Sequence, residues 1–172
     1  MMDMAMDIDL HAISPRDAKA LANFLQDILD RAIRVYESFS MPIPERRYWT
    51  LGEPAVDCEQ LVVAFIQMYL GAPGDEATEP RKCRDPRSAT VHVRVSRKVP
   101  TVGAGGQAPS AAAIQEYSQL VAYDAWCLME SAADLDAWTD SFPGLGVIST
   151  VEVAAPEGGF HTTVLTLTAA IP

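Results

Sequence analysis

The residues with chemical potential in this chain are few. It has three cysteines and three histidines in 172 residues. The cysteines are Cys58, Cys83 and Cys127; the histidines are His11, His92 and His161. A cysteine nucleophile needs a base or a positive environment to form its thiolate at neutral pH. Cys58 sits instead between Asp57 and Glu59, which raise a thiol pKa. The sequence therefore favours Cys58 as a small buried residue at a strand start, with no catalytic residue assigned. Cys58, Cys83 and His92 are conceivable zinc ligands, but no CxxC or HxxxH spacing brings two ligands together locally, and no metal is expected.

Gly103-Ala104-Gly105-Gly106-Gln107-Ala108 satisfies the G-x-G-x-x-[GA] pattern of a dinucleotide cradle. Its context argues against that use. A Rossmann unit needs a parallel strand soon after the helix, ending in an acid for the ribose, whereas here a helix runs to about residue 138 before Val147 opens the next strand. No cofactor is expected.

The elements that would position such residues follow from periodicity. Ser14-Pro15-Arg16-Asp17 reads as a helix start, and Ala18, Leu21, Leu25, Ile28, Leu29, Ala32 and Tyr36 recur at helical spacing. The helix should end near Ser38, with a short strand near Tyr48. In VDCEQLVVAFIQMYLGAPG (56–74), Leu61, Val63, Phe65 and Tyr69 fall on one side of an extended chain. Val62, Ala64, Ile66, Met68 and Leu70 fall on the other. Both faces are apolar, as in a strand covered twice, by its own chain or by a partner. A polar loop, 71–88, precedes a strand in which Val91, Val93 and Val95 alternate with His92, Arg94 and Ser96. Ser110 caps a second helix with a stripe of Ile114, Tyr117, Val121, Leu128, Ala132 and Leu135. Two strands follow, the first with Val147, Val151 and Val153 on one face, the second with Leu165, Leu167, Ala169 and Ile171; APEGG makes the turn between them. The expected architecture is α+β: a largely antiparallel or mixed sheet of four to five strands, two helices on one face, and a single domain over 14–172 after a flexible segment, 1–13.

Charge narrows the function classes. The net charge of −10 argues against a protein that grips nucleic-acid phosphates, and no apolar run is long enough to span a bilayer. Every Lys and Arg lies at or before Lys98, while Glu116, Asp124, Glu130, Asp134, Asp136, Asp140, Glu152 and Glu157 follow unbalanced. The cations concentrate at Arg81, Lys82, Arg84, Arg87, Arg94, Arg97 and Lys98. Unlike flanks of this kind suit head-to-tail contacts, which close into rings when the rotation allows.

The segments GEPAVDCEQLVVAFIQMYLGAPG, VHVRVSRKVP, APSAAAIQEYSQLVAYDAWCLME and GVISTVEVAAPEGGFHTTVLTLTAAIP, with the loop around Cys83, together resemble the tail terminator proteins of long-tailed bacteriophages, especially phages of actinobacteria. The resemblance spans about residues 45–172. It implies a non-enzymatic homo-oligomer, a hexameric ring that caps the tail tube, ends tail polymerisation and meets the head-closure or neck protein. DNA would pass transiently through its lumen without specific binding, with no membrane involved. It implies assembly in the host cytoplasm and residence in the virion, at the head-proximal end of the tail. On this reading Arg81, Lys82, Arg84, Arg87, Leu61, Val63 and Phe65 are expected at subunit or tail-tube contacts, and Glu116, Asp124, Glu130 and Asp134 are candidate lumen acids. Another connector ring of the neck is the nearest alternative, and a cysteine- or nucleotide-dependent enzyme the more distant one.

Overall fold

A computed structural model of the chain describes residues 15–74, 87–102, 106–136 and 148–171. The elements run α1 (Pro15–Ser38), β1 (Arg46–Leu51), β2 (Gln60–Leu70), β3 (Arg87–Lys98), α2 (Ala111–Asp136), β4 (Ile148–Val153) and β5 (Phe160–Ile171). The five strands form one sheet in the order β1-β2-β3-β5-β4. β1 and β2 are parallel, and the other neighbours are antiparallel. The fold is thus α+β with a mixed sheet and two helices. Ser14, Arg81, Lys82, Arg84 and the 103–105 glycines lie outside the described residues.

Both helices lie on one face of the sheet. α1 contributes Phe24, Leu25, Ile28, Leu29, Ala32 and Tyr36 to the core, and α2 contributes Cys127, Leu128 and Ala132. The sheet answers with Leu61 and Val63 from β2, Val91, Val93 and Val95 from β3, and Leu165 and Leu167 from β5. The predicted stripe of α1 is its buried face from Leu25 to Tyr36, with Phe24 added, whereas Leu21 is partly buried and Ala18 is exposed. α1 ends at Ser38, and Ser40 then takes a left-handed conformation (φ 54°) that lets the Met41 amide bond back to the Tyr36 carbonyl. At the start of α2 the Ser110 hydroxyl accepts the Ala113 amide at 3.2 Å, as a cap should. The β4–β5 connection turns at Gly158 and Gly159, both with positive φ, between paired Glu157 and Phe160. Successive left-handed residues make the tight turn that glycine tolerates without steric cost.

The second face of β2 is covered by its own chain. β1 and β2 run parallel, so residues 52–59 must travel back along the sheet, and they do so over the open face. Gly52 (φ 79°) turns the chain and donates to the Phe65 carbonyl. Glu53 then pairs with His92 Nδ1 (2.6 Å) and with Arg94, the Ala55 carbonyl accepts from Gln60, and Asp57 meets Arg46. Val62 and Ala64 are fully buried beneath this crossover. Of the two covers open to β2, its own chain and not a partner buries these two positions. The assignment of faces also needs correction beyond Phe65. The β2–β3 register shifts between Phe65 and Gln67, so Met68 pairs with Ala89 and changes side relative to the simple alternation. Elsewhere the open face is polar and β-branched, with hydroxyl contacts between Thr90 and Thr168 (3.3 Å) and between Ser96 and Thr162 (3.1 Å).

One buried polar network ties the layers. Arg97, at the end of β3, gives Nε to Asp124 Oδ2 (3.0 Å) and Nη2 to Asp124 Oδ1 (2.9 Å). Nη2 also reaches the Pro42 carbonyl (2.7 Å), and the Tyr36 hydroxyl donates to Asp124 Oδ1 (2.9 Å). Both ions are nearly dry, with side-chain exposures of 4% and 1%. Burial works against the Arg97 charge, but the hydrogen bonds and charge of Asp124 outweigh it and hold its pKa above the usual value. Among the described residues no helix is long and apolar enough to cross a membrane.

Asp124→Ala leaves Arg97 as an uncompensated buried cation and Tyr36 without its acceptor. The expected loss is about 3–5 kcal/mol, read as a lower urea midpoint. A loss under about 1 kcal/mol, the range of exposed pairs, would contradict the central place given to this network.

Candidate assembly surface

Most of α2 is apolar, and its only charges are acids. The inward side carries Val121, Asp124, Cys127, Leu128, Ser131 and Ala132. On the opposite side Ala122, Trp126, Met129 and Ala133 fall at i, i+4, i+7 and i+11, with Tyr123 beside them. This outer face is exposed: Trp126 by 60%, Tyr123 by 52% and Met129 by 42%. Ile114, expected in the buried stripe, is 51% exposed instead, because the first turns of α2 extend past the inward packing that begins at Val121. Beside Tyr123 a cavity of about 430 Å³ opens between Met41-Pro42 and the α2 residues Glu116, Tyr117, Leu120 and Tyr123. An apolar helix face continuous with a shallow groove is the kind of surface that another macromolecule covers.

The expected contact and lumen residues divide. Leu61 and Val63 have no exposure and belong to the core, so they are removed from the candidate interface. They face inward because β2 presents them to α1 and the crossover occupies the other side. Phe65 is partly buried against the same core. Arg87 opens β3 and is exposed, while Arg81, Lys82 and Arg84 lie outside the described residues. Of the acids, Asp124 is fully buried in the Arg97 network and is corrected: it cannot face a lumen. Glu116 is exposed on the groove and Glu130 is half-buried. Asp134 lies in α2, with its side chain outside the described residues.

The residues first weighed for chemistry are engaged structurally. Cys58 Sγ accepts from Arg46 Nη1 at 3.4 Å, and the same nitrogen meets Asp57 at 2.7 Å. His92 is held by Glu53, and the ring of His161 lies 6.0 Å from that of Tyr117. Cys83 lies outside the described residues, and among those described no cluster of three or more His, Cys, Asp or Glu could hold a metal ion. Cys127 is buried, and burial, followed by the charge of Asp124, pushes its thiol up to about 11. Burial and Asp124 likewise raise the Tyr36 phenol far above its usual value.

The outer face of α2 is the feature that sequence reasoning missed. Its signal was present: a helix apolar on every side calls for cover on every side. Attention to the inward stripe alone left Tyr123, Trp126 and Met129 unassigned.

No protein-family model matches the chain, and no curated protein matches it significantly. Among the solved structures that do match, one is 15% identical, with 86% of this chain and 95% of that chain covered at a TM-score of 0.31.

The raised thiol and phenol fix the sign of an alkaline dependence. Both groups are neutral when protonated, and the folded chain holds their protons more tightly than the unfolded one. The thiol's contribution is complete below pH 9.0, its ordinary value, and is lost as pH rises through about 11, while the phenol's begins to be lost near its ordinary value of 10.0 and goes on falling beyond that window. The urea midpoint should fall across that window, and Cys127→Ala should flatten the fall. A midpoint unchanged from pH 8 to 11 would contradict it.

Proposed function

We propose that this chain is a structural assembly protein of a phage virion, a tail terminator that works as a homo-oligomeric ring, a hexamer by the family resemblance. One end of the ring caps the tail tube and stops its growth. The other presents a surface to the head-closure or neck protein, and DNA passes through the lumen without a specific site. The protein acts at the head-proximal end of the tail after assembly in the host cytoplasm, and no catalysis is assigned to it.

The observation that carries this reading is the outer face of α2. Trp126, Tyr123 and Met129 are large, exposed and adjacent, and water is a poor environment for them. Aromatic residues beside a shallow pocket are the usual anchors of protein interfaces. Charge supports the same reading. An acidic second half repels nucleic acid, as a conduit for DNA requires, and attracts the cations Arg81, Lys82, Arg84 and Arg87 of a neighbouring copy.

Trp126→Glu places a charge in the centre of this face while leaving the core untouched. The variant should fold with an unchanged circular dichroism spectrum. Phage carrying it should show tails of uncontrolled length or heads without tails in electron micrographs. Normal tail length and normal head joining would overturn the assignment of this face to assembly.

A further inference from the structure

We propose that the β1 edge of one copy pairs antiparallel with the β4 edge of the next, so that the sheet continues from subunit to subunit with the helices on the same side. The identity of the partner, a second copy, rests on the ring reading above; the pairing itself rests on the two edges.

In the order β1-β2-β3-β5-β4 the edges that pair with no other strand among the described residues are β1 and β4, each six residues long. Neither contains a proline, and neither register is broken by a bulge. Natural sheets blunt an exposed edge with prolines, bulges or like charges; these edges carry only Arg46 and Arg47 on β1 and Glu152 on β4, charges of opposite sign that favour the one edge as template for the other. Both edges are also flanked by exposed apolar side chains: Trp49 and Leu51 on β1, Ile148 and Val153 on β4.

Direction fits without adjustment. β1 runs with β2 and against β3, β5 runs against β3, and β4 runs against β5. β4 is therefore antiparallel to β1. Copies related by rotation about an axis along the strands bring β4 beside the next β1 in antiparallel sense, a heterologous contact that can close.

Side-chain faces then restrict the register. Arg46, Tyr48 and Thr50 pair with Gln60, Val62 and Ala64 and so belong to the open face. Ile148, Thr150 and Glu152 pair with Thr168, Thr166 and Val164, which share that face through β3. Two registers keep the faces matched near the strand centres. With Thr50 opposite Thr150, Tyr48 faces Glu152 and Arg46 is diagonal to it; with Thr50 opposite Ile148, Arg46 faces Glu152 directly. On the helix side Trp49 is opposite or diagonal to Val151. Either register joins a cation to an acid and an aromatic to a β-branched residue, the pairs that stabilise antiparallel sheets. The hydrogen bonds of Arg46 to Asp57 and Cys58 both leave from Nη1, so among the described residues Nη2 and Nε keep the capacity for a second carboxylate.

Cysteine pairs test this directly. Directly opposed antiparallel residues have Cβ atoms roughly 4.5–5.5 Å apart, near disulfide reach, whereas the two edges of one subunit are roughly 19 Å apart at about 4.8 Å per strand. Thr50→Cys/Thr150→Cys, Thr50→Cys/Ile148→Cys and the face-mismatched Thr50→Cys/Ser149→Cys are oxidised mildly beside wild type, which controls for the native cysteines. Light scattering of the reduced samples is recorded in parallel. One face-matched variant should give a ladder of covalent multimers. The corresponding single variants, mixed, should give dimers, and the Ser149 variant nothing beyond wild type. As a second measure, Glu152→Lys should weaken association at low salt and have little effect near 1 M, where charges are screened within about 3 Å. Oligomers without cross-links in either face-matched variant would overturn the edge pairing and leave the ring reading standing. Preferred cross-linking at Ser149 would overturn the common side for the helices. Monomers throughout at millimolar concentration and low salt would overturn both readings.

Discussion

Arg97 and Asp124 meet where four parts of the chain converge: the end of β3, the middle of α2, the last turns of α1 through Tyr36, and the Met41–Pro44 connection through the Pro42 carbonyl. A dry ion pair costs much to bury and is tolerable only when its hydrogen bonds are well placed. Asp124 accepts two bonds from Arg97 and one from Tyr36, so the geometry that satisfies it also fixes where α1 and α2 sit on the sheet. The apolar contacts of Leu25, Leu128, Val93 and Leu165 supply most of the hydrophobic stabilisation, but such contacts are non-directional. The network supplies the direction.

That placement decides what is left outside. With Asp124 turned inward, α2 rotates Ala122, Trp126, Met129 and Ala133 to the far side, where no element among those described covers them. The crossover from β1 to β2 does the opposite for the sheet. It closes the open face over Val62 and Ala64 with its own polar contacts and leaves apolar exposure at the two edges. The surfaces available for assembly are thus the back of α2 and the flanks of β1 and β4, while the middle of the sheet is closed from within.

Much of the fold was legible because it rests on local periodicity. The alternation of Val91, Val93 and Val95, the stripe from Leu25 to Tyr36, the Ser110 cap and the glycines of the last turn each carry their reason within a few residues. The corrections arose where the reason was distant. Nothing near Val62 announces that residues 52–59 fold back over it. Nothing around Asp124 shows that Arg97, 27 residues earlier, will take it out of solvent. The β2–β3 register shift, which depends on two strands together, reversed the faces assigned beyond Phe65. For the candidate surface, composition did hold the clue, since a helix with Trp126 and Met129 on one side and Leu128 and Val121 on the other has no solvent side.

The central claim is that these surfaces are joined between copies of the chain. Native mass spectrometry of the purified protein, across concentration and at low and high salt, tests it most directly. The account predicts monomers of 18.7 kDa in exchange with a species of six times that mass. Salt should shift the balance towards monomer, because part of the attraction is between exposed charges. A single monomeric species at millimolar concentration and low salt would contradict it.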